Sequence, residues 1–198
     1  MNSKQRIELQ NYISKIRLDS YLPNESVQKQ FRVYKKNIKL CKKFYSQLHY
    51  FEIIFRNSID SVLTAYVNGN DWIPILPLDK ESQHKLTEVK NRLVKQNKQL
   101  THDRIISELT LGFWTSLFSK RYTQFKFQSV LVKKVFKDCP KSQRNIKNIQ
   151  IFVNDIRELR NRVCHYEKII HFPDINQRYQ NIQTCISWIS KDLSYLTK

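Results

Sequence analysis

The sequence predicts an all-α protein, a helical bundle with additional short helices. Only 2 glycines and 5 prolines occur in 198 residues, whereas sheet-rich folds spend both on their many tight turns. Apolar residues recur at spacings of three and four through three long stretches, 25–67, 142–170 and 174–196, the mark of helices with one face turned to a core. Forty per cent of the residues are hydrophobic, with 11 Phe, 10 Tyr and 3 Trp, so the chain can bury a sizeable core without disulfides or a metal. Read as one domain over 1–198, it opens with a helical extension over 1–24.

Residues 3–17 suit a short first helix with Ile7, Ile13 and Ile16 on one side. "YLPN" ends it, because Pro23 restricts the residue before it. From Glu25 to Val67 neither Gly nor Pro interrupts the chain. The stripe there is Val27, Phe31, Tyr34, Ile38, Cys41, Tyr45 and Leu48, resuming after Glu52 at Phe55, Ile59, Val62 and Tyr66. One helix, or two with a bend near 44–48, both fit. "NGNDWIPILP" (68–77) is a stop, with Gly69 as a C-cap and two prolines after it. Leu86, Val89 and Leu93 predict a helix over 80–97. "LTLGFWTSLFSKRY" (109–122) reads as one or two brief aromatic helices, and 125–137 as a basic amphipathic segment. The strong helix over about 142–170 carries Ile149, Phe152, Ile156, Leu159, Val163, Tyr166 and Ile170. Pro173 ends it and Asp174 can cap the last helix, whose stripe is Ile175, Tyr179, Ile182, Ile186, Ile189, Leu193 and Leu196.

Lys and Arg total 35 against 17 Asp and Glu, a formal charge of +18. A surplus of that size draws polyanions, and nucleic acid is the expected partner. Cys41, Cys139, Cys164 and Cys185 form no Cys-x-x-Cys pair and no zinc-finger spacing; free, mostly buried thiols suit a reducing cytoplasm. The polar start has no apolar signal core, no segment is long and apolar enough to span a membrane, and none is expected as a partner.

"LRNRVCHY" (159–166) is the one stretch that hints at chemistry. On a straight helix with Val163 facing the core, Asn161 and His165 fall near the opposite face. Arg160 lies on the flank, about 140° from His165. The two cannot easily meet on one atom unless the helix unwinds or a second copy supplies the partner, so a homodimer with a composite site is expected. An Arg–His pair suits RNA cleavage: the His moves the proton of the 2′-hydroxyl and the Arg braces the phosphoryl oxygens. No carboxylate cluster is present to hold a metal, and no cofactor is called for. Glu52 interrupts the apolar stripe of its helix. Either it pairs with Arg56 one turn on, or it sits at a bend and reaches water.

With its surroundings, the motif resembles the Abi-like abortive-infection proteins, a bacterial anti-phage group within the HEPN superfamily. That superfamily's domains are helical bundles marked by Arg, four to six residues, then His. "RNRVCH" supplies Arg160, Asn161 and His165. "FEIIFRNSIDSVLTAYVNGNDWI" (51–73) resembles the family's upstream helix, and "LTLGFWTSLFSKRY" its aromatic Gly-Phe-Trp segment. The likeness covers roughly residues 27–170. It implies a metal-independent endoribonuclease, toxic and held in check until infection, so an antitoxin or a phage-derived trigger joins RNA among the expected partners. It implies Arg160, Asn161 and His165 as catalytic residues, with Glu52, Arg56 and Asn57 as a second wall, and Arg162 and Tyr166 in support. No His follows Arg56 at the motif spacing, so each chain carries one half-site. Two other readings are a non-catalytic nucleic-acid-binding bundle and a toxin–antitoxin interaction protein.

Overall fold

The computed structural model describes residues 1–197. Among them there are helices and no strands. The chain opens with α1 (Ser3–Leu9), a π-helical turn (Gln10–Ser14) and α2 (Lys15–Asp19). The single opening helix expected over 3–17 is therefore broken. Ser14 takes φ 72° at the break, and its hydroxyl accepts from the Arg17 N–H to start α2 afresh at 3.1 Å. Ile7 and Ile16 are exposed there, and Leu18 is the buried residue instead.

Residues 25–67 form one helix, α3 (Val27–Tyr66), unbroken through 44–48. It ends in a Schellman turn: Gly69 N–H donates to Thr64 O at 2.8 Å and Asn68 N–H to Ala65 O at 3.3 Å. Asn68 takes the left-handed φ of 57° and Gly69 one of 85°, so Asn68 is the first residue past the cap and Gly69 the second. α4 (Lys80–Lys95) is capped by the Asp79 carboxylate on Ser82 N–H at 2.9 Å. It closes like α3, with Asn97 at φ 55°. Short α5 (His102–Glu108) and α6 (Leu111–Ser116) follow, then a 3₁₀ turn (Lys120–Tyr122) and α7 (Lys126–Val135). α8 (Ile146–Cys164) is the motif helix, and α9 (Ile175–Ile189) leads into a 3₁₀ stretch (Lys191–Thr197) that carries Leu193 and Leu196.

α3 is the axis. α7, α9, α8 and α6 pack around it, and α2 lies against its first half. Its second half holds the core: Phe51 stacks on Phe55 at 5.1 Å and Phe55 on Phe118 at 5.6 Å, while Trp72 meets Trp114 at 6.1 Å. Fully buried aromatic rings of this kind each remove a large apolar area from water.

The first half of α3 departs from the expected stripe. Tyr34 and Cys41 are only half-buried, and Ile38 and Tyr45 are exposed. The buried face runs instead through Gln30, Asn37, Phe44 and Leu48. Both polar residues are matched. Gln30 Nε2 donates to Asp19 Oδ1 at 2.7 Å and to Leu22 O at 3.2 Å. Asn37 Oδ1 accepts from Ile169 N–H at 2.8 Å and Ile170 N–H at 3.1 Å, and its Nδ2 donates to Glu167 O at 3.2 Å. These side chains hold loops, and that need overrides hydrophobic spacing.

The expectation of a helix to about residue 170 is corrected. α8 stops at Cys164, with His165 as its C-cap. Glu167 N–H donates to Arg162 O at 2.8 Å and Tyr166 N–H to Val163 O at 3.2 Å, the same Schellman turn again. Tyr166 takes φ 57° and leaves the stripe for solvent; Ile169, which the stripe omits, is buried. At α9, Asp174 is the N-cap residue, but its carboxylate makes no capping bond and accepts from Arg178 Nε at 3.1 Å. Cys139 and Cys185 are buried, Cys41 is half-buried and Cys164 exposed, all four as free thiols; burial pushes the Cys185 thiol well up. No helix among the described residues is long and apolar enough to cross a membrane.

Candidate active site

α3 and α8 cross so that Glu52 faces Arg160. The guanidinium donates Nε to Oε2 at 3.0 Å and Nη2 to Oε1 at 3.3 Å, a two-pronged bond across 108 positions of sequence. Of the two alternatives for Glu52, the bend is absent because α3 is unbroken, and the Arg56 pairing is replaced by this one with Arg160. Both side chains are about a quarter exposed. The fork fixes the plane of the guanidinium and gives the Glu52 carboxylate a charged partner while it keeps partial access to water. Arg56 turns elsewhere. Its Nε donates to Asn57 Oδ1 at 3.0 Å and its Nη1 reaches Ser107 O at 3.5 Å.

Glu52, Arg56 and Arg160 line one cleft of about 300 Å³, together with Tyr45, His49, Ser107 and Cys164. His49 was not legible as a site residue from the motif. The signal was there in α3's own register, since His49 stands three residues before Glu52 and seven before Arg56, on the same helical face. His49 is exposed, and its ring stacks on Tyr45 at 6.5 Å.

The other expected site residues are dispersed. Asn161 is exposed on α8, and its carbonyl accepts the His165 N–H at 2.9 Å. His165 is exposed at the helix end, and it does not line the Arg160 cleft. Asn57 lines a different groove, toward α7 and α9, and touches the Arg160 cleft only through its bond to Arg56. Arg162 is occupied by Glu158 at 3.4 Å and Glu167 at 3.2 Å, and lies over the Phe172 ring. Tyr166 is exposed, and its carbonyl accepts from Arg17 of α2. The chain therefore gathers Glu52, Arg56, His49 and Arg160, and leaves His165 outside their cleft.

Among the described residues no group of three or more His, Cys, Asp or Glu is placed to hold a metal ion. What the cleft offers is a fixed guanidinium with donors to spare, a second arginine and an imidazole. These groups can brace an anion and carry a proton. Comparison with protein-family models, with curated proteins and with solved structures yields no match for this chain.

Proposed function

We propose that the protein is a metal-independent endoribonuclease of the HEPN, Abi-like type, acting as a homodimer in anti-phage defence. One observation carries the reading. Two of the three stretches that resemble that family, 51–73 and 160–165, lie far apart in sequence and are joined by the Glu52–Arg160 fork.

In this reading Glu52 is the positioning residue. It holds the Arg160 guanidinium by Nε and Nη2, so that Nη1 is presented to a phosphoryl oxygen. His165 takes the proton of the RNA 2′-hydroxyl, whose oxygen attacks the adjacent phosphorus, and the 5′-oxygen leaves with a proton returned to it. Tethering of the nucleophile beside the phosphorus supplies much of the rate. The products are a 2′,3′-cyclic phosphate and a 5′-hydroxyl. Because His165 lies outside the Arg160 cleft of its own chain, a second copy brings its His165 to that cleft.

Purified protein with cellular RNA and EDTA is the test. Cleavage with cyclic phosphate ends, absent when the cut position carries 2′-O-methyl, supports the reading; activity that EDTA removes and magnesium restores overturns it. Mixing Arg160→Ala with His165→Ala protein leaves one intact site per heterodimer if the site is composite, and none otherwise. A non-catalytic nucleic-acid-binding bundle is the second reading. It is favoured by the Glu52 carboxylate, which offsets the Arg160 charge within the protomer, and it predicts RNA binding with no cleavage at all.

A further inference from the structure

The stripe Tyr34, Ile38, Cys41 and Tyr45 of α3 faces an open groove of about 580 Å³ rather than the core. Its far wall is Tyr12, Ile13 and Arg17 of the N-terminal segment, and Val163 and Tyr166 close its end. Three of these tyrosines are far more exposed than a buried or packing role allows: Tyr12 is 86% exposed, Tyr166 77% and Tyr45 62%. The groove shares Tyr45 and Val163 with the Arg160 cleft, so the two run together. In the other direction it shares Tyr12 and Ile13 with a third hollow, which Arg32 and Lys35 line.

Charge follows the same line. No acidic residue occurs between Glu25 and Glu52. Lys42 lines the groove, and Arg32 and Lys35 line the adjoining hollow; all three are exposed, and among the described residues none of them is ion-paired. Protein–protein interfaces are depleted in lysine at their centres. Aromatic rings set among unpaired cations are instead what an unpaired nucleic-acid strand uses, with bases on the rings and phosphates on the cations.

Tyr166 adds an independent observation. Three helices end in the same turn, and the left-handed residue is Asn68 after α3, Asn97 after α4 and Tyr166 after α8. Asparagine tolerates that backbone; a bulky aromatic residue is strained there. The strained residue is the one at the groove, directly after His165, and its ring faces solvent.

We propose that this trough binds single-stranded RNA, with bases stacked on Tyr12, Tyr45 and Tyr166 and phosphates along the cations of α3, and leads the strand to the Arg160 cleft. The proposal rests on the ribonuclease reading for its direction, but its binding test does not. The probe is a fluorescent 12-nucleotide RNA made wholly of 2′-O-methyl residues, which 2′-hydroxyl attack cannot cut. It is titrated by anisotropy into the full chain, as single strand and as duplex.

The single strand binds more tightly than the duplex. Tyr45→Ala and Tyr166→Gly each weaken it by roughly tenfold, and Lys42→Glu lowers the slope of log affinity against log salt. Lys95→Glu, an exposed change on α4, does much less. Tyr166→Gly keeps or raises the melting temperature, so its loss of binding is not loss of fold. Equal affinity for the duplex, or wild-type binding by both tyrosine variants, overturns the proposal. So does dissociation of a dimer by those variants with binding per protomer unchanged, since the groove would then seat a second copy. Tyrosine-dependent binding in a protein that cuts no RNA supports the groove and counts against the ribonuclease reading alone. Cleavage indifferent to the tyrosines does the reverse.

Discussion

Val163 and His165 are two positions apart and have opposite fates. Val163 is buried against the core, and His165 is exposed at the end of α8. His165→Ala is therefore expected to abolish cleavage while shifting the melting temperature little, because no cavity opens. Val163→Asp buries an unpaired charge and should unfold the protein. Thermal melts beside an RNA cleavage assay decide both; a large destabilisation by His165→Ala would show that the ring has a packing role. Glu52→Gln should cost about 1–2 kcal/mol, since one charge of a mostly buried pair is left. Paired with Arg160→Ala it should cost less than the sum of the two single changes, as a double-mutant cycle in urea would reveal. Helical spacing was enough to turn His165 outward and to put Arg160 on the flank. It could not find Arg160 as the partner of Glu52, because that bond is made between helices, and a sequence window sees only neighbours one turn away, such as Arg56.

At the scale of elements, α3 divides into a half that makes the core and a half that organises loops. From Phe44 onward the spacing and the buried face agree in part: Leu48, Phe55 and Ile59 are buried as the stripe has them, whereas Tyr45 and Tyr66 are exposed, and Phe51 and Leu63, which the stripe omits, are buried. Before Phe44 the apolar stripe opens onto a groove, and Gln30 and Asn37 are buried in its place. Periodicity alone has no means of seeing this, because it scores a polar residue as solvent-facing whatever it bonds. The end of α8 was misread for a related reason: a tyrosine gives no stop signal, yet Tyr166 occupies the left-handed position that Asn68 and Asn97 fill elsewhere. Asn37 ties the two errors together, since it binds the backbone of Glu167, Ile169 and Ile170 just past that end. Asn37→Ala leaves buried backbone groups without partners. It should cost about 3 kcal/mol, and it should increase amide exchange at Ile169 and Ile170 before the rest of the core. Uniform exchange would mean that the loop is held by other contacts.

Across the whole molecule, two clusters contribute a pH-dependent part of the stability, with opposite signs. Asp79 caps α4 and meets Tyr122 and Arg121. Burial works against its charge, but bonds from Ser82, Arg121 and Tyr122 outweigh it and hold the carboxyl at about 2. In the second cluster, His102 at the start of α5 lies between Asp60 of α3 at 2.8 Å and Asp71 of the connecting loop at 3.0 Å. Trp72 Nε1 donates to the same Asp60 at 2.8 Å. Burial disfavours the imidazolium, yet the two carboxylates prevail and raise the pKa above its ordinary value. The signs differ. Asp79's folded pKa lies below its unfolded one, so its contribution is complete above the ordinary carboxylate range and is lost as pH falls toward about 2. His102's folded pKa lies above its unfolded one. Its contribution is complete below the ordinary histidine value of about 6.5 and is lost as pH rises through the raised value. A neutral ring cannot donate to both carboxylates, so one bond of the clasp fails there. Melting temperature should therefore fall on the alkaline side in the wild type. In His102→Asn it should start lower and stay flat across the same interval. Parallel curves for the two proteins would mean that the clasp does not contribute to that fall.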